Sequence, residues 1–359
     1  MIEIREFRDM RDPELSSIWE DLTARGLCPN VFMSHPWVSI WVEHLEGAAA
    51  PSVLVGYSEG TPVGIAPLCR DRRGRVGFPV SSNPVLPRGE LVVGESHCRD
   101  FGAAIMTHLR HGGRLLDFRG VPLGSLTSSC LVDRERTRGF LRRVHTSRMA
   151  PYLSITGTWE EYLASRPRNV RHEWERKIRR VGDAGDARIR RREDEDVPSL
   201  VREFVEVEGR SWKEEHGSSI GQRGAAEFYV NVARALAGRG WFLPFWLEID
   251  GRVVAFIYGF VFGRAYWAVK TSYDQSYARY TPGLALFHEA VGHAFRSGLS
   301  RFDFVGHRSR WTGEWATGWL EHVDLALYPA TPGGIATYLT ECWARPALKR
   351  LTSAAHRSA

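Results

Sequence analysis

GGRLLDFRG at residues 112–120 and GLSRFDFVG at residues 298–306 are the two stretches that decide the fold. In each, a glycine (Gly112, Gly298) is followed five residues later by Asp-Phe (Asp117-Phe118, Asp303-Phe304) and then by a second glycine (Gly120, Gly306). A helix-like stretch precedes the first glycine in both, and apolar residues lead into Asp-Phe. Glycine stops a helix because it takes left-handed backbone without a Cβ clash, so the pattern reads as helix, tight turn, strand.

Working outward, a second correspondence lies upstream of each stretch. PSVLVGYSEGTPVGIAPL (51–68) has apolar runs on either side of Glu59-Gly60, and FLPFWLEIDGRVVAFIYGF (242–260) has them on either side of Asp250-Gly251. An acid-Gly pair between alternating apolar runs signals a hairpin. The hairpin glycines precede the Asp-Phe aspartates by 57 and 52 residues. The chain therefore reads as α/β, with two tandem units of mixed sheet flanked by helices. The boundary falls near Met149 to Tyr152, giving units over 1–150 and 151–330 and a helical tail over 331–359. The tail has apolar spacing at Leu339, Cys342/Trp343 and Leu348, and its last residues, SAAHRSA, are expected to fray. Ordinary αβ turns and hairpins resemble one another without duplication, so the repeat is an expectation for the structure to test.

Composition narrows the class. Of 359 residues 43% are hydrophobic and 25% charged, a globular balance with ample core material. The longest apolar run, VVAFIYGFVFG (253–263), is far short of a bilayer span and reads as a strand, and the N-terminus lacks a signal-peptide core. A cytoplasmic location is expected. Cys28, Cys69, Cys98, Cys130 and Cys342 are scattered with no CxxC pair, so neither a zinc site nor a disulfide framework is expected. His108 and His111 have helical metal spacing but no third ligand, and no metal is expected. Charge is uneven: Arg166 to Arg192 carries eleven Arg/Lys and four Asp/Glu, more than the +6 of the whole chain.

The stretch YWAVKTSYDQSYARYTPGLALFHEAVGHAF (266–295) carries the chemistry. A strand ends near Val269-Lys270, a polar aromatic loop follows, and Thr281-Pro282-Gly283-Leu284 opens a helix with apolar residues at helical spacing. Thr is a good N-cap and Pro suits the first turn. A helix start presents backbone N–H groups and a positive dipole end, which suits phosphate or carboxylate. Gly283 allows close approach, and Lys270 and Arg279 add charge. The same residues also read as a plain strand–loop–helix connection.

From Ser272 to Gly306 the sequence resembles the core of GNAT-fold acyltransferases of the CelD/BcsL type, relatives of the FemAB aminoacyltransferases. The matching residues are Tyr273, Asp274, Pro282, Gly283, Gly298, Phe302, Asp303, Phe304 and Gly306. Upstream matches are Phe32, Ser34, Trp37 and Trp41, then Ser211-Trp212 and the basic helix after Tyr162-Leu163. The resemblance implies two GNAT-like halves with an acyl donor bound at the second, its pyrophosphate at Thr281-Pro282-Gly283-Leu284. It departs after Gly306, where relatives carry an aromatic–Lys pair. Here GHRSRWTGEW has no Lys, and Arg308, Arg310 and Trp311 occupy the region. Arg binds anions but is a poor proton shuttle.

Acyl transfer to an amine requires proton removal from the amine, donors for the tetrahedral oxyanion, and alignment of both substrates. Asp274 and His307 are the candidate bases, with Glu314 a further acid and Tyr273 placed to protonate the leaving group. Asp274 reads equally as a turn cap, and His307 as an exposed loop residue. No GxSxG elbow, Walker loop or HExxH is present. Trp212, Arg308, Arg310 and Trp311 are candidate acceptor contacts, although aromatic residues more often serve as core.

From Arg168 to Val181, residues Val170, Trp174, Ile178 and Val181 form one apolar helical face, with Arg171, Arg176, Lys177, Arg179 and Arg180 elsewhere. That face pattern fits a solvated charged surface, or contact with a phosphate-rich donor. Three readings follow. The first is acyl transfer from a coenzyme A thioester, foremost acetyl-CoA, to an amine of a small molecule or peptide. The second is aminoacyl transfer from an aminoacyl-tRNA in peptide natural-product or cell-wall assembly. The third is a binding module without catalysis.

Overall fold

The computed structural model describes residues 1–44, 50–79, 88–134, 137–191, 196–215, 219–221 and 225–344. Arg192 of the basic run and the tail beyond Ala344, with Leu348 and SAAHRSA, lie outside the described residues.

The first half runs β1 (Ile2–Phe7), α1 (Pro13–Ala24), a 3-10 turn (Val31–Met33), α2 (His35–His44), β2 (Ala50–Pro51), β3 (Val53–Ser58), β4 (Thr61–Ala66), β5 (Cys69–Arg70), β6 (Val76–Gly77), β7 (Val92–Val93), α3 (Glu95–His111), β8 (Leu116–Pro122), α4 (Leu126–Leu131) and β9 (Phe140–Ser154). Local sequence sets these bounds. Asp12 accepts the N–H groups of Glu14 and Leu15, and Pro13 opens α1. Past α3, Gly113 takes φ 58°, the left-handed turn that lets the chain re-enter the sheet as β8.

The second half runs α5 (Trp159–Ser165), α6 (Arg168–Gly182), β10 (Ala187–Arg190), α7 (Val197–Gly209), α8 (Trp212–Glu215), α9 (Ala226–Ala237), β11 (Phe245–Ile249), β12 (Arg252–Phe262), β13 (Ala265–Tyr273), a 3-10 turn (Gln275–Tyr280), α10 (Pro282–Arg296), β14 (Arg301–Asp303), α11 (Arg310–Trp315), β15 (Gly318–Pro329) and α12 (Pro332–Leu339), then a π-helical turn (Thr340–Ala344). The apolar run at 253–263 falls on strand β12, as expected from a run too short to span a bilayer.

Both expected hairpins form. Glu59 and Gly60 join β3 to β4, with φ 50° and 76°, and Asp250 and Gly251 join β11 to β12, with φ 49° and 78°. Two successive positive φ values make the turn whose twist matches antiparallel strands. The helix–turn–strand repeat also forms, with Asp117-Phe118 on β8 after α3 and Asp303 at the end of β14 after α10.

The sheets show something the linear repeat does not. One sheet orders β1-β3-β4-β7; the other has eleven strands ordered β10-β11-β12-β13-β14-β9-β15-β8-β6-β5-β2. β14 of the second half pairs with β9, which emerges from the first half. β8 of the first half pairs with β15, from the far end of the chain. Each half thus completes the other's sheet, and β9 and β15 are antiparallel from Phe140↔Pro329 to Tyr152↔Gly318. The stretch Met149 to Tyr152 lies inside β9.

Packing fuses the halves further. Phe32 and Trp37 of the first half meet Trp267, Phe228 and Phe260 edge-on. On β12, Phe256, Tyr258 and Phe260 face α7 and α9, while Val254, Ala255 and Ile257 join a second core under α10. The cysteines correct one expectation: Cys98 on α3 and Cys130 on α4 are joined by a disulfide across 32 residues. The fold brings α3 and α4 side by side, a proximity that scattered spacing in the sequence does not reveal. Cys28 and Cys69 are buried free thiols.

Candidate functional site

β13 and β14 run parallel and pair only at Ala265–Arg301, Tyr266–Phe302 and Trp267–Asp303. β13 continues to Tyr273, while β14 ends at Asp303 and the backbone turns away from β13. The turn has a visible cause. Asp303 Oδ1 accepts the N–H of Val305 at 2.9 Å, and Val305, a β-branched residue, is held at φ 60°. Such a conformation is strained and persists only where surrounding structure imposes it. The strands therefore part into a wedge, and among the described residues β13 has no paired strand on that edge beyond Trp267. Within the wedge β13 is bulged: Tyr258 pairs with Lys270 and Gly259 with Ala268, which leaves Val269 unpaired. An edge with unpaired N–H and C=O groups accepts an extended amide-bearing chain.

The start of α10 lies beyond the end of β13. Asp274 caps the 3-10 turn, and Thr281 occupies the next cap with φ 55°, ψ 48°. Thr281 does not cap α10 through its side chain, contrary to the sequence expectation. The left-handed backbone turns its hydroxyl outward, and it donates to the Lys177 carbonyl at 3.2 Å. That bond docks the basic helix α6 on the start of α10. Trp174 of α6 stacks on Trp315 at 3.8 Å and donates to Glu314 at 3.2 Å. Anchored through Trp174 and Val181, α6 leaves Arg176, Arg179 and Arg180 exposed, while Lys177 pairs with Glu173 at 2.6 Å.

The structure separates the other sequence candidates. Gly283 has open space beside it: a Cβ built there meets only the Tyr273 ring, at 3.7 Å. Tyr273 is thus beside the start of α10. Asp274 is buried and its carboxylate is fully engaged, accepting from Arg210 Nε (2.8 Å), Arg252 Nη2 (2.9 Å), the Ser276 N–H (3.0 Å) and the Ser276 hydroxyl (2.6 Å). Burial by itself would raise its pKa, but the Ser276 and Arg210 bonds pull it below the ordinary carboxylate value.

Lys270 points to the opposite sheet face from α10. The bulge at Val269 resets the strand's alternation, so Lys270 shares its face with Tyr258 and reaches Glu208 at 3.3 Å. Arg279 is exposed and bonds the Tyr280 hydroxyl. His307, Arg308 and Arg310 are exposed after β14, with Arg308 over the Trp319 ring. Trp311 is exposed against Phe287 and Phe304, and Trp212, at the start of α8, is exposed.

Two buried networks were not singled out from the sequence. Glu208 accepts from Lys213 (2.9 Å), Lys270 (3.3 Å) and the Ile220 N–H (2.8 Å), and burial's upward push on its pKa is outweighed by the two ammonium groups. Arg88 donates to Asp303 at 2.6 Å and lies over Trp267, while Arg301 pairs with Asp303 at 3.0 Å. Next to them, burial raises the Glu90 pKa to about 7 against the opposing Asn30 hydrogen bond. His322 donates from Nδ1 to the Leu320 carbonyl, and burial with nearby guanidinium groups lowers its pKa to about 2. Asp303 was legible as part of the repeat, but its partner Arg88 carries no local signal.

Two hollows, of about 260 and 250 Å³, lie away from the wedge. Among the described residues no group of three or more His, Cys, Asp or Glu is placed to hold a metal ion.

This geometry can be set beside known proteins. Residues 168–313 match the family model described as "Acetyltransferase (GNAT) domain". No curated protein matches the chain. Among solved structures, FemX superposes with a TM-score of 0.61 at 11% identity, over 90% of this chain and 96% of that one. L-PGS from Bacillus licheniformis superposes with a TM-score of 0.55 at 13% identity, over 94% and 97%. At such identities the likeness is one of fold. The fold is two tandem GNAT-like units, and with a GNAT acetyltransferase domain over residues 168–313 the chain is an enzyme of the N-acyltransferase class.

Proposed function

We propose that the protein transfers an acyl group, foremost acetyl, from a coenzyme A thioester to an amine of a small-molecule or peptide acceptor. The observation that carries this reading is the wedge between β13 and β14. Its opened, bulged strand edge suits an extended amide-bearing arm, and it leads to a helix start where Gly283 admits a phosphate. In the reaction the amine nitrogen attacks the thioester carbonyl carbon. The C–N bond forms, N–H groups of the opened β13 edge stabilise the oxyanion, and the C–S bond breaks. His307 takes the amine proton and Tyr273 gives one to the departing thiolate. Asp274, held by Arg210 and Arg252, keeps the turn before α10 in place. Trp311, Arg308, Arg310 and Trp212 contact the acceptor, and Glu314 positions Trp174.

The division of labour we propose is a first unit (1–150) that walls the acceptor side, a second (151–330) that holds the donor, and a tail (331–359). Both candidate donors are made inside the cell, so the reaction is assigned to the cytoplasm. Calorimetry with acetyl-CoA and longer acyl-CoAs tests the reading. Submillimolar binding with release of free thiol on adding an amine supports it, and no heat with any thioester at millimolar concentration overturns it.

A second reading is favoured by one observation, the docking of α6 on the start of α10. Its exposed Arg176, Arg179 and Arg180 suit an aminoacyl-tRNA donor. That reading requires salt-sensitive tRNA binding that weakens when these arginines are neutralised. Absence of tRNA binding at low salt removes it.

A further inference from the structure

The hollow of about 250 Å³ lies between α5, α6 and α10. Its apolar lining is Leu163 and Ala164 of α5 and Trp174 of α6. Trp174 is held rigid there by its stack on Trp315 and its bond to Glu314. The polar lining is Glu160 of α5, Arg171 and Glu175 of α6, and His288 of α10.

These polar groups do not satisfy one another. Arg171 and Glu175 stand four residues apart, a spacing that allows an ion pair along one helix. On the same helix Glu173 and Lys177 close such a pair at 2.6 Å. Arg171 makes no ion pair within 4.0 Å among the described residues, and neither do Glu160 and Glu175. Arg171 Nε is buried with no hydrogen-bond partner, which costs free energy unless an acceptor fills the gap. His288 likewise has no hydrogen bond among the described residues. Its ring lies edge-on to Trp159 at 5.0 Å, and burial lowers its pKa, which keeps the imidazole neutral. One guanidinium, two carboxylates and a neutral imidazole thus line a single hollow without touching.

We propose that this hollow binds a free α-amino acid with an apolar side chain. Its carboxylate pairs with Arg171, its ammonium with Glu160 and Glu175, and its side chain lies against Leu163, Ala164 and Trp174. The planar fork of a guanidinium matches a carboxylate. Neutral His288 offers one donor and one acceptor to the same polar end. An amine alone leaves the Arg171 donor unmet, and a carboxylate alone faces two acids, so a ligand bearing both charges suits the lining best. The volume equals that of roughly eight waters, which leucine or phenylalanine can fill. The site is separate from the wedge. Among the described residues no strand residue lines the hollow, and α10 also packs on β11, β12 and β13. The inference therefore holds whichever donor the protein uses.

Calorimetry of the full chain with leucine and with phenylalanine, in the absence of any thioester, tests it. Both are expected to bind. Isoamylamine, which is leucine without its carboxylate, and isocaproate, which is leucine without its ammonium, are each expected to bind at least about tenfold more weakly than leucine. Arg171→Met is expected to weaken leucine binding at least about tenfold. Ala164→Phe, which fills the hollow from an exposed position, is expected to do the same with an unchanged melting temperature. The proposal is overturned if neither amino acid binds at millimolar concentration, or if isoamylamine or isocaproate binds as tightly as leucine. It is also overturned if folded Arg171→Met and Ala164→Phe both bind leucine as wild type does, which places the amino acid elsewhere on the protein.

Discussion

Arg88 and Asp303, 215 residues apart, form a buried ion pair at 2.6 Å that joins the first half of the chain to the last residue of β14. The same Asp303 carboxylate oxygen accepts the Val305 N–H, so one side chain both ties the halves together and turns the strand away from β13. The contact between the halves and the turn that opens the wedge thus share one carboxylate oxygen.

Replacing Arg88 by Met leaves Asp303 buried with Arg301 as its remaining cation. Breaking a buried pair in this way costs about 3–5 kcal/mol. Urea denaturation is expected to show a loss near the lower end, because Arg301 stays within 3.0 Å. A loss below about 1 kcal/mol would show that the pair contributes little. Donor affinity should fall with it if the pair also shapes the wedge.

Glu90 makes stability depend on pH in a direction opposite to most carboxylates. Its folded pKa, about 7, lies above the reference 4.5, so the folded state binds the extra proton between those values. Its contribution to stability is fully present below pH 4.5 and is lost as pH rises through 7. The span corresponds to about 3 kcal/mol. The groups facing Glu90 are Asn30, Arg88, Arg301 and Asp303. Glu90→Gln keeps an acceptor for Asn30 and removes the titration. Its melting temperature, compared with wild type at pH 5 and pH 8, should rise relative to wild type only at the higher value. An identical pH slope in both proteins would refute the assignment.

Gly283→Glu and Gly283→Ala separate steric from electrostatic effects at the start of α10. A Cβ fits there, since its nearest neighbour is the Tyr273 ring at 3.7 Å. Ala is expected to change acyl-CoA affinity less than threefold, whereas Glu should weaken it at least about tenfold by placing negative charge at the phosphate position. Equal affinities for all three proteins would move the donor elsewhere.

Asp274, Tyr273 and His307 should differ in kinetics. Asp274→Asn loosens the Arg210 and Arg252 pairs and is expected to cost about 2 kcal/mol of stability, with kcat reduced less than about tenfold. His307→Ala is expected to lower kcat by about 10²-fold or more. Tyr273→Phe should slow thiol release while leaving KM for the acceptor unchanged. A His307→Ala enzyme with an unaltered kcat would return the proton to another base.

Much of the site's framework was legible because it rests on local chemistry. Acid-Gly pairs dictate positive φ, Thr-Pro-Gly opens a helix, and a four-residue spacing of Val170, Trp174 and Ile178 puts one face of α6 inward. Side-chain direction was less legible. The bulge at Val269 sends Lys270 to Glu208 and away from α10, and nothing in the strand's composition marks a one-residue slip. The partners of Asp274 were likewise hidden, because Arg210 and Arg252 come from elements that meet only in the folded sheet.

By itself the sequence determined two α/β units, their hairpins, the helix–turn–strand repeat, and a helix start followed by an Asp-Phe strand in the second unit. These follow from backbone preference and hydrophobic period, which act over a few residues. Tertiary structure alone decided that β9 and β15 are exchanged between the units, that Cys98 meets Cys130, and that Arg88 meets Asp303. Those depend on which distant residues come into contact, and burial makes such contacts strong without leaving a trace in the spacing of the chain.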